Sequence, residues 1–123
     1  MSNRFKCPRI WRKLSRAESN LVSRLWRGEG AAPGEAVAEL LACNRGYGYC
    51  LRLCRPDQIA VERQGHEASV FVGDAVDHDH VMVQAVLIVG VDSYPLELEV
   101  FRQDGKPLCT PLEMLEFNLV RED

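Results

Sequence analysis

The sequence predicts an α+β domain in which two N-terminal helices pack on one face of a four- to six-stranded, mainly antiparallel sheet. Three observations carry that prediction. A capping box followed by apolar residues at spacings of three and four marks a helix after Ser15. Val81 to Val91 is the most apolar run of the chain. Tyr94 to Leu108, reading YPLELEVFRQDGKPL, alternates with a period of two before it turns. In that stretch Leu96, Leu98 and Val100 are expected to face a core with Leu21, Leu25 and Leu40, leaving Glu97, Glu99 and Phe101 outside.

Taken in order, residues 1–11 form a leader without periodicity, anchored by Ile10 and Trp11. Ser15 can accept from the third helical amide while Glu18 reaches back, and Leu14 stands where it can staple the first turn. Leu21, Val22, Leu25 and Trp26 then predict a helix from about Arg16 to Arg27, ended by Gly28-Glu29-Gly30. A second helix is expected from near Pro33, with Val37, Leu40 and Leu41 as its stripe and Asn44-Arg45-Gly46 as its close. Tyr47 to Leu53 alternates as a first strand, which Arg55-Pro56-Asp57 stops. Ile59 and Val61 suggest a short exposed strand, Gln64-Gly65-His66 a turn, and Val70 with Val72 one face of the next strand.

Gly73 to Asp79 has the composition of a loop, and a long strand follows from about His80 to Val91. After Arg102, Gly105 tolerates a positive φ and Asp104 can bond its own backbone, so residues 103–106 form a turn. The tail from Pro111 suggests a short helical turn and a final edge strand at Leu119-Val120. The chain of 123 residues is thus expected to be a single domain: a leader over 1–11, a helical part over 12–45 and a sheet part over 46–123.

Composition narrows the class. The 46% hydrophobic and 27% charged residues are those of an ordinary globular domain. No apolar run approaches the roughly 20 residues of a membrane span, and no apolar stretch follows the basic N-terminus as in a signal peptide. The expected compartment is therefore the cytoplasm, with no membrane partner. Cys7, Cys43, Cys50, Cys54 and Cys109 lack the spacing of a disulfide framework and read as reduced thiols. The net charge of −3 hides an asymmetry. Residues 1–27 hold eight Lys or Arg against Glu18 alone, net +7, and the rest of the chain holds seven against seventeen acids, net −10. Either the two parts pack together and their fields cancel, or the basic part is an arm for a phosphate-bearing partner.

Asp74, Asp77, His78, Asp79 and His80 are the densest set of metal-ligand types. A zinc site would need further ligands, such as His66 or Cys54, that the spacing does not demand, so no metal is assigned. Glu97 and Glu99 stand roughly 7 Å apart on a strand face, within the range of paired catalytic carboxylates. Alternating glutamates also simply solvate a sheet. Cys50 and Cys54 share a face and suit burial beside the helices. Asn44-Arg45-Gly46-Tyr47-Gly48 precedes a strand rather than a helix and lacks a phosphate-loop lysine. No catalytic residue and no cofactor is assigned. Trp11 and Trp26 could stack bases beside the N-terminal cations, but no nucleic-acid motif accompanies them.

Arg12-Lys13-Leu14-Ser15-Arg16-Ala17-Glu18 resembles the opening of a family of small, uncharacterised bacterial domains with an R-x-L-[ST]-x-x-E start. Leu96 to Arg102, with Asp104-Gly105-Lys106-Pro107-Leu108 behind it, is similar to that family's late strand and turn. Asn44 to Tyr49 is similar to its Gly-rich turn. The resemblance spans about Arg12 to Leu108, and the family is similar in size and acidity to immunity proteins that neutralise bacterial toxins. It implies a non-catalytic binding protein that blocks a basic partner surface. The expected contact set is Asp74, Asp77, Asp79, Glu97 and Glu99, with Phe101 as apolar anchor. The alternatives are a small metal-dependent hydrolase using Asp74 to His80, and a nucleic-acid-associated protein using the basic N-terminus.

Overall fold

The computed structural model describes residues 10–26, 37–44, 49–58, 67–90 and 94–120. Ser15 caps the helix α1, Arg16–Leu25, through a complete capping box: its hydroxyl accepts from the Glu18 amide while Glu18 accepts from the Ser15 amide. Leu21, Val22 and Leu25 are the buried stripe of α1, as their spacing requires. The strands are β1 Arg12–Lys13, β2 Leu41–Asn44, β3 Tyr49–Cys54, β4 Glu67–Val76, β5 Met82–Gly90, β6 Pro95–Arg102 and β7 Asn118–Leu119. They form one seven-stranded sheet in the order β1-β2-β3-β6-β5-β4-β7, and every pairing is antiparallel.

This corrects the expected architecture of two helices on a four- to six-stranded sheet. Among the described residues α1 is the one helix longer than a single turn, and the sheet has seven strands. Residues 37–39 are helical, but Leu41–Asn44, taken as the end of a second helix, is strand β2. Ala42 lies opposite Leu53 and is fully buried, so ladder hydrogen bonds and core packing outweigh the local helix preference of Leu and Ala. The leader over residues 1–9, the start of that second helix, the Gly-rich turn over 45–48 and the strand proposed for Ile59 and Val61 lie outside the described residues.

A second correction concerns Gly73 to Asp79. Strand β4 runs through Gly73 to Val76 instead of giving way to a loop. A Cβ on Gly73 would stand 3.0 Å from Leu25 Cδ2, so this glycine is where α1 presses on the sheet. The turn begins only at Asp77, whose carbonyl accepts from the His80 amide at 2.9 Å, and His80 takes a positive φ of 68°.

Register decides which side chains share a face. On the α1 side stand Tyr49, Leu51, Leu53, Val83, Ala85, Leu87, Leu98 and Val100, joined in one core by Trp26, Val37, Leu40 and Phe117. Leu98 and Val100 face inward as expected. Leu96 is half-buried, because a bulge moves the partner of β5 from Glu97 to Pro95 between Ile88 and Val89. A 3-10 turn over Leu112–Met114 precedes the edge strand β7, as the tail's pattern suggests. At the other end of the sheet Trp26 leans on Tyr94, and the Arg55 guanidinium lies 4.1 Å from the centre of the Tyr94 ring.

Candidate functional site

Two buried ionic clusters sit on the α1 side of the sheet, and among the described residues no helix packs on the sheet's opposite face. The first cluster is centred on Glu18, 2% exposed. Arg12 is brought to it by the pairing of β1 with β2, and donates from both terminal nitrogens to the two Glu18 oxygens at 2.7 and 2.9 Å. The Ser15 amide donates at 2.7 Å, and the Tyr49 hydroxyl donates to Oε2. Arg12 also holds Asn44 Oδ1 at 3.1 Å. Burial alone would raise the Glu18 carboxyl, but these donors outweigh it and hold it at about 2. Burial and then Glu18 push the Tyr49 hydroxyl well above its ordinary range.

The second cluster is centred on Arg102, which follows Leu98 and Val100 on the inward side of β6. Its guanidinium donates to Asp104 Oδ2 at 2.6 Å and Oδ1 at 3.0 Å, to Asp77 Oδ2 at 3.0 Å and to Asp79 Oδ1 at 3.1 Å. Asp77 is buried and also accepts from the amides of Cys109 and His78 at 2.8 and 2.9 Å and from the Thr110 hydroxyl. Burial favours its neutral form, but the Thr110, Cys109, His78 and Arg102 donors hold it below the ordinary carboxylate range. The Arg102 hydrogen bond, with the Lys106 amide, brings Asp104 to about 2. The hydrogen bonds that Arg102 donates to Asp104 and Asp79 raise its guanidinium above the ordinary arginine value despite its burial.

Ligand atoms of Asp77, His78, Asp79 and Cys109 lie within 4.8 Å of one another, so part of the Asp74-to-His80 segment does converge, joined among the described residues by Cys109 and not by Cys54, while His66 lies outside the described residues. The same space is served by Arg102, whose Nη1 stands 3.0 Å from Cys109 Sγ as well as beside both carboxylates. A metal ion would have to displace that guanidinium from Asp79. The donor set therefore fits a resident arginine better than a metal.

The expected contact residues divide. Asp74, Glu97, Glu99 and Phe101 share the face turned away from α1: Phe101 pairs with Gln84, which pairs with Asp74, and Glu99 and Glu97 pair with Val86 and Ile88. Asp77 and Asp79 do not join them, being held by Arg102 on the other side. Val70, Val72, Val86 and Ile88 lie between the acids as a half-buried apolar strip. Cys50 and Cys54 are also on this face, opposite to where the helix packs, and Cys50 Sγ lies 3.3 Å from Glu97 Oε1. Among the described residues no helix packs on the strip. A slot of about 540 Å³ lined by Cys50, Glu99, Phe101, Lys106 and Leu108 flanks it on one side.

Of the N-terminal cations described, Arg12 is committed to Glu18, Arg16 and Arg24 are exposed on α1, and Lys13 is exposed in the ladder row of Leu41 and Cys54, on the face turned away from the helix. Both buried clusters escaped the sequence reading, beyond the capping role of Glu18. The signal was present for Arg102: a cation at the inward parity of an apolar strand must have a buried anionic partner.

A family model described as "Domain of unknown function (DUF6984)" matches residues 11–111. No curated protein and no solved structure matches the chain. No helix among the described residues is long and apolar enough to cross a membrane.

Proposed function

We propose, for a chain that belongs to the DUF6984 family of domains of unknown function, that it is a non-catalytic binding protein whose sheet face turned away from α1 engages a basic surface on a protein partner. One observation carries this reading: an apolar strip of Val70, Val72, Val86 and Ile88 runs between Asp74, Glu97 and Glu99, with Phe101, 36% exposed, at its end. An apolar centre with a charged rim is the anatomy of a recognition surface, where the centre holds the complex and the rim selects the partner. The strongly shifted groups Glu18, Tyr49, Asp77 and Arg102 are by contrast held within the two buried clusters, Glu18 with Tyr49 and Asp77 with Arg102, and serve the fold. An immunity-type role, the blocking of a cationic toxin in the cytoplasm, is the specific form this reading takes.

The test is carboxylate footprinting of the complex captured from the source cells with the full chain as bait. Asp74 and Glu99 become protected on binding, while Glu113, beside α1, stays reactive. Protection confined to Glu113 and the α1 side would remove the sheet face from the mechanism.

A further inference from the structure

Where β7 leaves β4, the edge of the face turned away from α1 carries a depression that the contact set read from the sequence does not include. Strand β7 pairs only with Gly73 and Asp74, so Ala75 and Val76 have no described neighbour on that edge. The resulting depression, about 480 Å³, is lined by Asp74, Val76, Met82, Met114, Glu116 and Asn118. Its apolar wall is unusually exposed: Met114 at 69%, Val76 at 58% and Met82 at 38%. Two carboxylates stand over that wall. Asp74 accepts from the Gln84 side-chain amide at 3.3 Å through one oxygen, and among the described residues neither Asp74 nor Glu116 makes an ion pair. Glu116 also forms the crest towards the groove beside α1, where Arg16 and Arg24 line the far wall.

An apolar floor beneath paired anions matches one kind of side chain, a long aliphatic stem ending in a cation. Thioethers suit such a stem because they are polarisable and adapt their rotamers to it. We infer that this depression receives an arginine or lysine side chain of the protein partner, its stem against Val76, Met82 and Met114 and its charged head between Asp74 and Glu116. The ladder row Phe101–Gln84–Asp74 crosses two strand spacings, so the depression lies about 10 Å from Phe101. A partner presenting an apolar residue and a cation at that separation would fill the Phe101 slot and this depression together. The inference rests on the binding role proposed for the sheet face and adds the chemistry of the group that docks there.

The probe is N-acetyl-arginine amide, with its neutral isostere N-acetyl-citrulline amide as control, followed through the methionine methyl resonances of the full chain. The chain has three methionines, so the Met82 and Met114 signals can be assigned by single substitution. Both signals shift saturably with the arginine compound and little with the citrulline compound. Glu116→Gln weakens the arginine affinity about two- to fivefold, as expected for one exposed ion pair, and adding Asp74→Asn weakens it further. Glu116 is exposed and Asp74 half-buried, and unchanged unfolding midpoints confirm that the fold is intact. Equal shifts with both compounds, or affinity unaffected by the double substitution, would overturn the inference. If the depression stays silent while footprinting still maps a captured partner to Asp74 and Glu99, the docking chemistry is wrong and the binding face stands. If the depression binds arginine while the partner maps to α1, the binding face is wrong and the depression stands.

Discussion

Glu18 does three jobs with two oxygens, and that is why a capping glutamate became a buried one. It closes the capping box, receives both arms of Arg12 and takes the Tyr49 hydroxyl. Its carboxyl lies at about 2 in the folded chain, against roughly 4.3 when unfolded. The unfolded state therefore binds the proton first, so the stability Glu18 contributes is complete above its unfolded value and fades as pH falls towards 2. Glu18→Gln is expected to cost about 2 to 4 kcal/mol near neutral pH, since it leaves Arg12 without its anion but partly in solvent. Urea unfolding between pH 6 and pH 2 should show the variant losing less with acid than the parent. Parallel slopes for the two would mean that the Glu18 proton is not linked to folding. His80 makes the opposite kind of prediction, because its φ of 68° is a conformation that suits glycine and its side chain is exposed. His80→Gly is expected to stabilise by about 0.5 to 1 kcal/mol, readable as a raised urea midpoint. A loss of stability there would show that the imidazole makes contacts outweighing the backbone strain.

At the level of elements, what the sequence disclosed depended on whether the signal was local. The capping box, the α1 stripe, the turn at Asp104-Gly105 and the inward alternation of Leu98 and Val100 each lie within one short window, and each is present in the fold. Strand β2 was illegible because Leu41 to Asn44 owes its extended form to β3, ten residues further on. The Asp77–Arg102 cluster was illegible for a similar reason: it joins the end of β4, the end of β6 and the segment at Cys109. Gly73 was misread because its glycine signals a helix above it rather than a loop. That reading can be checked directly. Gly73→Ala puts a Cβ 3.0 Å from Leu25 Cδ2 and 3.4 Å from Phe117 Cβ, so α1 and the tail must both yield. The expected cost is about 1 to 3 kcal/mol by overpacking, and Leu25→Val in the same chain should recover part of it. If Leu25→Val instead adds a full second penalty, the two sites are not in contact.

The whole molecule is polarised across its sheet. Arg16 and Arg24 are exposed on α1, while Asp74, Glu97 and Glu99 lie on the opposite face of the sheet, so these two cations stand across the sheet from those acids. Glu97 stands opposite the cation Arg52 in the ladder, which leaves Glu99 and Asp74 as the better levers on the field that a partner meets. A cationic partner approaching such a face is steered before it touches, and steering acts on the association rate and is screened by salt. Asp74→Asn with Glu99→Gln is therefore expected to slow association about two- to tenfold at low ionic strength and to flatten its salt dependence. Phe101 works at the other end of the encounter. Its ring borders the slot beside Lys106 and Leu108, so Phe101→Ala should leave association nearly unchanged and speed dissociation, as removal of an apolar anchor does. Surface-immobilised partner and stopped-flow mixing at two salt concentrations separate the two rates. A double acid variant that associates as fast as the parent at low salt would show that the sheet carboxylates only keep that face in solution.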